Sequence, residues 1–258
     1  MKNTANAKSG FTLLELAIVL VIIGLITGGV LVGRDLIHAA EIRATITQVG
    51  KYNTAVNTFR GKYGYLPGDI PPSIASSFGL FAFTGANAGT PGYGDGSGVV
   101  NGYCDGLEAT VFWRHLSDAN LIEGSYGSTI DSTTGFSTIS LLQTFPQAKL
   151  GGSNYFAITD TTAIPLGSTI QANFFNIFGM TAAGCLVSLS VTPSTGAAID
   201  TKMDDGMPFT GRVLGIGNGG AFPGQCIVLT GPSTVVYNTG PGSGNGDTPG
   251  CYMAFQFQ

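Results

Sequence analysis

Glu15 is the first residue whose chemistry demands a partner. It is the only charge in residues 11–33, an otherwise apolar run of 23 residues that meets the ~20-residue length of a bilayer-spanning helix. A carboxylate at mid-membrane costs ~2.5–3.5 kcal/mol on insertion scales. Glu15 lies near the entry end, which lowers that cost, but it still calls for a cation. A second group of acids, Asp200, Asp204 and Asp205, precedes Gly206, and a third, Asp95 and Asp105 with Asn101, sits in a Gly-rich loop. Hard oxygen donors in flexible loops suit calcium. Neither stretch has EF-hand spacing, and solvated turn carboxylates or a helix cap are the competing reading.

Other chemistry finds little support. His38 and His115 are the only histidines, neither has a companion, and no nucleophile–base set assembles around them. His115 reads as a surface or partly packed helix residue. The run GIGNGG at residues 215–220 satisfies G-x-G-x-x-G, yet Ala221, Phe222 and Pro223 follow it in place of a helix, so the dinucleotide context is missing. No catalytic residues are expected.

The elements that must position these groups begin with the leader. Lys2 and Lys8 stand on residues 1–10 with no acid among them, which by the positive-inside rule keeps the N-terminus cytoplasmic and sends the remainder out. Beyond the apolar run, Ile42, Ile46, Val49, Tyr52 or Asn53, Val56, Phe59 and Tyr63 recur at steps of three and four, with Glu41, Arg43, Gln48, Lys51, Asn57 and Arg60 on the other face. One helix over residues 11–60 would be ~75 Å long at 1.5 Å per residue, apolar all round at first and amphipathic later. Gly24, Gly28, Gly29 and Gly33 weaken it by ~1 kcal/mol each while allowing close helix packing in lipid.

A basic leader ending in Gly10, then Phe11, Thr12, Leu13, Leu14 and Glu15, with Gly24 following two isoleucines, resembles the class III signal of type IV prepilins and pseudopilins. The resemblance implies that a prepilin peptidase cuts between Gly10 and Phe11 and methylates the new amine of Phe11. It also implies that Glu15 meets the N-terminal ammonium of a neighbouring subunit during assembly, and a charge pair in low dielectric is less unfavourable than either charge alone. The segments KYGYLPGDI, FWRHLSDANLI and IDTKMDDGMPFTG look like stretches found in such proteins. The apolar run departs from major pilins in having no proline.

Residues 1–60 hold six Lys or Arg against three acids, leaving five against twelve in residues 61–258, a net charge of −7. Such an acidic domain is not expected to bind nucleic acid. Forty glycines and a tenth charged residues suit short strands joined by long loops, while frequent aromatics supply a core. Cys104, Cys185, Cys226 and Cys251 all fall in the exported part, where disulfides persist; two bridges allow three connectivities. The resemblance favours Cys226 with Cys251 and Cys104 with Cys185, and it raises the case for calcium at the Asp200 group.

A helix is expected over residues 105–122, from the capping-box spacing of Asp105 and Glu108, and another from Thr192 to about Met203, with Pro193 in its first turn. Strands are expected at residues 155–159, 186–190, 213–216, 227–230, 235–237 and 252–257. The layout is α+β: a long N-terminal helix packed on an antiparallel sheet, the arrangement the resemblance also implies. Residues 1–10 form the leader, 11–60 the helix and 61–258 the exported domain. The expected role is a structural subunit of a type IV pilus or related filament, held in the inner membrane by a single pass before assembly, with the prepilin peptidase and other subunits as partners. A type II secretion pseudopilin is the alternative within the class. A membrane-anchored extracytoplasmic module that binds calcium or an adhesive ligand is the alternative outside it.

Overall fold

The computed structural model describes residues 12–84, 87–102, 107–127, 141–160, 172–181, 184–217, 226–230, 234–240 and 246–257. They form two compact units, Met1–Glu41 and Ile42–Gln258. Helix α1, Leu13–Tyr63, passes through both. In the first unit its large apolar side chains from Leu13 to Ile37 are all exposed. It is the one helix among the described residues long and apolar enough to cross a membrane.

In the second unit α1 buries Ile42, Thr45, Val49, Tyr52, Ala55, Val56, Phe59 and Tyr63, the stripe that the three-and-four periodicity predicts. Its partners are α3, Leu107–Asp118, and an antiparallel sheet. The sheet runs β1 (Asn154–Asp160), β2 (Asn173–Thr181), β7 (Tyr252–Gln256), β4 (Val213–Ile216), with β3 (Gly184–Ser188) also paired to β2. Short helices α2, Pro72–Ser77, and α4, Leu141–Thr144, lie in the connections. Helix α5, Pro193–Met203, packs near a two-stranded ribbon of β5 (Ile227–Leu229) and β6 (Val235–Tyr237). This is the α+β arrangement expected.

The aromatic core joins helix to sheet. The Tyr52 ring lies 4.8 Å from Trp113, 5.2 Å from Phe156 and 6.0 Å from Phe175, while Phe175 stacks on Phe257 at 4.3 Å. Gln48 ties the same helix face to the approach to β1: its Nε2 donates to Tyr52 Oη and Gln147 O, both at 2.9 Å, and its Oε1 accepts from Lys149 N at 3.0 Å. One amide side chain therefore fixes helix and sheet together with three hydrogen bonds.

Strand β2 was not among the expected strands, and it is the central one. Its run NFFNIFGMT does not alternate, because both faces are covered: Phe175 and Ile177 belong to the main core, and Phe174 to a second cluster with Ala172, Leu214, Ile216 and Ala254. A strand buried on two sides carries no period-2 signal. Helix α3 ends earlier than expected because Asn120 takes φ 56° and Leu121 N donates back to Leu116 O at 2.9 Å, a left-handed helix stop. Helix α5 starts as read, with Thr195 N donating to Thr192 Oγ1 at 3.2 Å and Pro193 in the first turn.

His115 corrects its sequence reading, since it is 1 % exposed and not a surface residue. Its Nδ1 accepts Gly68 N at 2.8 Å, so Nε2 carries the proton that is donated to Phe81 O, also at 2.8 Å. Burial holds its pKa down to about 4, which keeps it a neutral spacer between segments. Gly68, at φ 87°, is required there, because a Cβ would strike the carbonyl oxygen of Glu108.

Phe59 is fully buried against Tyr63 and His115. Phe59→Ala should therefore destabilise the second unit by about 3–5 kcal/mol, measured by urea unfolding of the full chain in detergent with Trp113 fluorescence as the probe. Gly50 lies exposed in helix α1 with open space around a built Cβ. Gly50→Ala should shift the same midpoint the other way, by up to about 1 kcal/mol.

Candidate functional site

At the start of α1, Thr12 and Glu15 satisfy each other. Glu15 Oε2 accepts from Thr12 N at 2.8 Å and Thr12 Oγ1 at 3.0 Å, and Glu15 N donates to Thr12 Oγ1 at 3.3 Å. This reciprocal arrangement is a capping box, and it places the acid at the positive end of the helix dipole. Gly10 and Phe11 lie outside the described residues. Thr27, the only hydroxyl farther along the apolar stretch, returns its proton to Ile23 O at 2.9 Å. Gly24, Gly28, Gly29 and Gly33 have no atom within 4 Å of a built Cβ. These glycines therefore answer no packing need within the subunit.

The acids before Gly206 do converge: Asp200, Asp204 and Asp205 each place a carboxylate oxygen within 4.8 Å of the others. Asp200, fully buried on α5, accepts from Tyr237 Oη at 2.8 Å and Gly206 N at 3.1 Å. Burial pushes its pKa up to about 6, against those two hydrogen bonds. Asp204 accepts from the backbone of Arg212 and, at 3.1 Å, Val213. Asp205 accepts from Met207 N at 2.8 Å and Thr210 Oγ1 at 2.5 Å. The donor set is chemically right for a hard cation, but each carboxylate already holds the turn from α5 into β4. Gly215 leaves room for the Tyr237 ring, since a Cβ there would collide with it. Gly215 therefore belongs to a strand packed under a tyrosine and not to a nucleotide-binding turn.

A third cluster escaped the sequence reading in its membership. Asp95, read from the sequence beside Asn101 and Asp105, meets Asp69, just after α1, and Glu108 on α3, with carboxylate oxygens within 4.8 Å of one another. Asp105 lies outside the described residues. Glu108 reaches from α3 into the loop: Oε1 accepts Gly94 N at 2.8 Å and Oε2 accepts Asn101 N at 2.7 Å. Asp69 Oδ1 accepts Gly96 N at 2.8 Å and Ser97 N at 3.2 Å, and Oδ2 accepts Gly98 N at 2.7 Å. Glu108 and Asp69 are 0 % and 1 % exposed. Burial pushes both carboxyls up to about 7, the backbone donors pulling the other way and neighbouring acids adding to the rise. The readable signal was GYGDGSG: Gly92, Gly94, Gly96 and Gly98 all take positive φ, turning successive N–H groups toward one side.

Cys226 and Cys251 are joined across 25 residues with Cα atoms 4.8 Å apart. Cys104 lies outside the described residues, as does the side chain of Cys185.

A long N-terminal apolar helix followed by an antiparallel sheet defines the class, an α+β pilin-like fold. Residues 5–31 match the family model of the prokaryotic N-terminal methylation motif, the class III signal peptide of type IV pilins and pseudopilins. The chain is thus type IV pilin-like or pseudopilin-like at its N-terminus, and the motif indicates a structural subunit. No curated protein and no solved structure shows significant similarity to it.

Because Asp204 gathers two backbone N–H groups, Asp204→Ala should cost about 1–3 kcal/mol by leaving them unpaired. The thermal midpoint of the wild-type chain should be the same in calcium and in chelator if holding the turn is the cluster's role. A calcium-dependent rise that Asp204→Ala abolishes would assign it to the metal.

Proposed function

We propose that the chain is a filament subunit of the type IV pilus class. It waits in the inner membrane with its N-terminus in the cytoplasm, is cut between Gly10 and Phe11 by a prepilin peptidase, and assembles with other subunits through α1. The observation that carries this reading is the methylation motif over residues 5–31 on a helix whose apolar side chains from Leu13 to Ile37 have no cover. Exposed apolar surface on that scale needs lipid or other helices.

Glu15 acts as the assembly contact. In the free subunit its carboxylate is held by Thr12, a neutral partner that a neighbour's ammonium can replace with a charge-assisted bond. The cleaved and methylated amine of Phe11 is the group that would supply it. A surface pilus subunit is favoured over a type II secretion pseudopilin by the size of the exported unit and its long loops after Thr84 and Asn238. The lack of a proline in the apolar run speaks against a major subunit.

Mass spectrometry of the mature chain should find methylated Phe11 at the N-terminus. Gly10→Val should leave the precursor uncut, and Glu15→Ala should be cut but fail to enter filaments. Normal processing of Gly10→Val, or a mature chain that keeps Met1 and forms no filament, would favour an anchored binding module.

A further inference from the structure

We propose that Asp69, Asp95 and Glu108 form a proton-operated latch on the loop 94–101: the loop is held when the cluster carries a proton and loosens when all three carboxyls are ionised. The latch stands on geometry drawn from three separate parts of the fold. Asp69 follows α1, Glu108 stands on α3 and Asp95 sits in the loop itself, all within 4.8 Å. Two of the three are buried, and between them they take five backbone N–H groups of the loop, at Gly94, Gly96, Ser97, Gly98 and Asn101.

Asn173 of β2 adds a neutral anchor from a fourth side. Its Oδ1 accepts Val100 N at 2.8 Å and its Nδ2 donates to Gly98 O at 3.1 Å. The loop can therefore remain tethered to the sheet while its grip on the two acids changes. Glycine is required at both turns of the loop, because a Cβ at Gly94 would strike Ile70 O and one at Gly96 would press on the Tyr65 and Pro71 rings.

The charged groups that act on Asp69 and Glu108 are each other and Asp95. No Lys or Arg enters the cluster among the described residues, and neighbouring His115 is neutral, its Nδ1 taken by Gly68 N. Three negative charges at this separation in a partly dry site repel strongly, so one shared proton relieves the cluster. Asp69 and Asp95 are placed to share it, which raises the first. Asp95, against the push of its own burial, is lowered by Ser97 and Asp69.

The sign follows from linkage. With the loop closed, Asp69 and Glu108 titrate near 7; with it open and solvated they return to about 4. Closure binds protons, so its stabilisation is complete below the open-state value and is lost as pH rises through 7.

Hydrogen exchange of the full chain in detergent, corrected for intrinsic rates, tests this. Protection of the 94–101 amides should fall about a hundredfold between pH 6 and pH 8, about tenfold for each of the two carboxyls, while the α1 and β2 amides do not change. Asp95→Asn, which keeps an acceptor for Ser97 N, should move that transition to lower pH. A carboxyl carbon NMR titration of the wild-type chain is the second measurement, with Asp69 and Glu108 midpoints near neutrality supporting the latch. Protection that does not vary with pH, an unmoved transition in Asp95→Asn, or ordinary carboxylate midpoints would overturn it. So would protection at pH 8 that requires added calcium, since the cluster would then be closed by a cation.

Discussion

The second unit depends on one contact, the burial of the α1 stripe from Ile42 to Tyr63 against α3 and the sheet. Tyr52 is its centre, touching Trp113, Phe156 and Phe175 at once. Rings of this size bury large apolar areas and prefer the tilted geometries seen here. A helix fixed by that many partners cannot rotate, and its orientation is what sets the start of everything downstream. Gln48 reinforces the same register with hydrogen bonds that only one rotation of the helix allows.

The same helix answers to a different solvent in its first unit. Its apolar residues there bury nothing of their own chain, and the glycines at 24, 28, 29 and 33 make room for no neighbour within it. What stabilises the folded unit from Ile42 onward is contact within the chain; what stabilises residues 13–37 must come from lipid or from other helices. Glu15 marks the junction, satisfied by Thr12 within the helix yet with a carboxylate able to accept a stronger partner.

Loops are controlled by a second device, the carboxylate that gathers backbone N–H groups. Asp200, Asp204 and Asp205 hold the turn into β4, and Asp69 with Glu108 holds the loop 94–101. Glycine-rich loops have no side chains with which to pack, so hydrogen bonds to the main chain are the interaction left to order them. Placing like charges close together is the cost of that solution. It makes such loops responsive to protons or cations where an apolar contact would be indifferent.

The local signals in this chain were legible without coordinates. Residues 11–33 declare a membrane-length helix by their apolarity, and the steps from Ile42 to Tyr63 declare the buried face, because a helix period is written into neighbours three and four apart. Thr192 and Pro193 announce α5 in the same way. Strand β2 hid, because a strand covered on both faces shows no alternation, and its buried Asn176 breaks the apolar run as well. His115 was misread because burial is decided by what arrives from elsewhere: Gly68 and Phe81 enclose the histidine, just as Gly94 and Asn101 reach Glu108. Asp69 and Asp95 are 26 positions apart in sequence, and no spacing rule joins them. Only the folded chain, by bringing the end of α1, the start of α3 and a glycine loop together, turns separate acids into one coupled group.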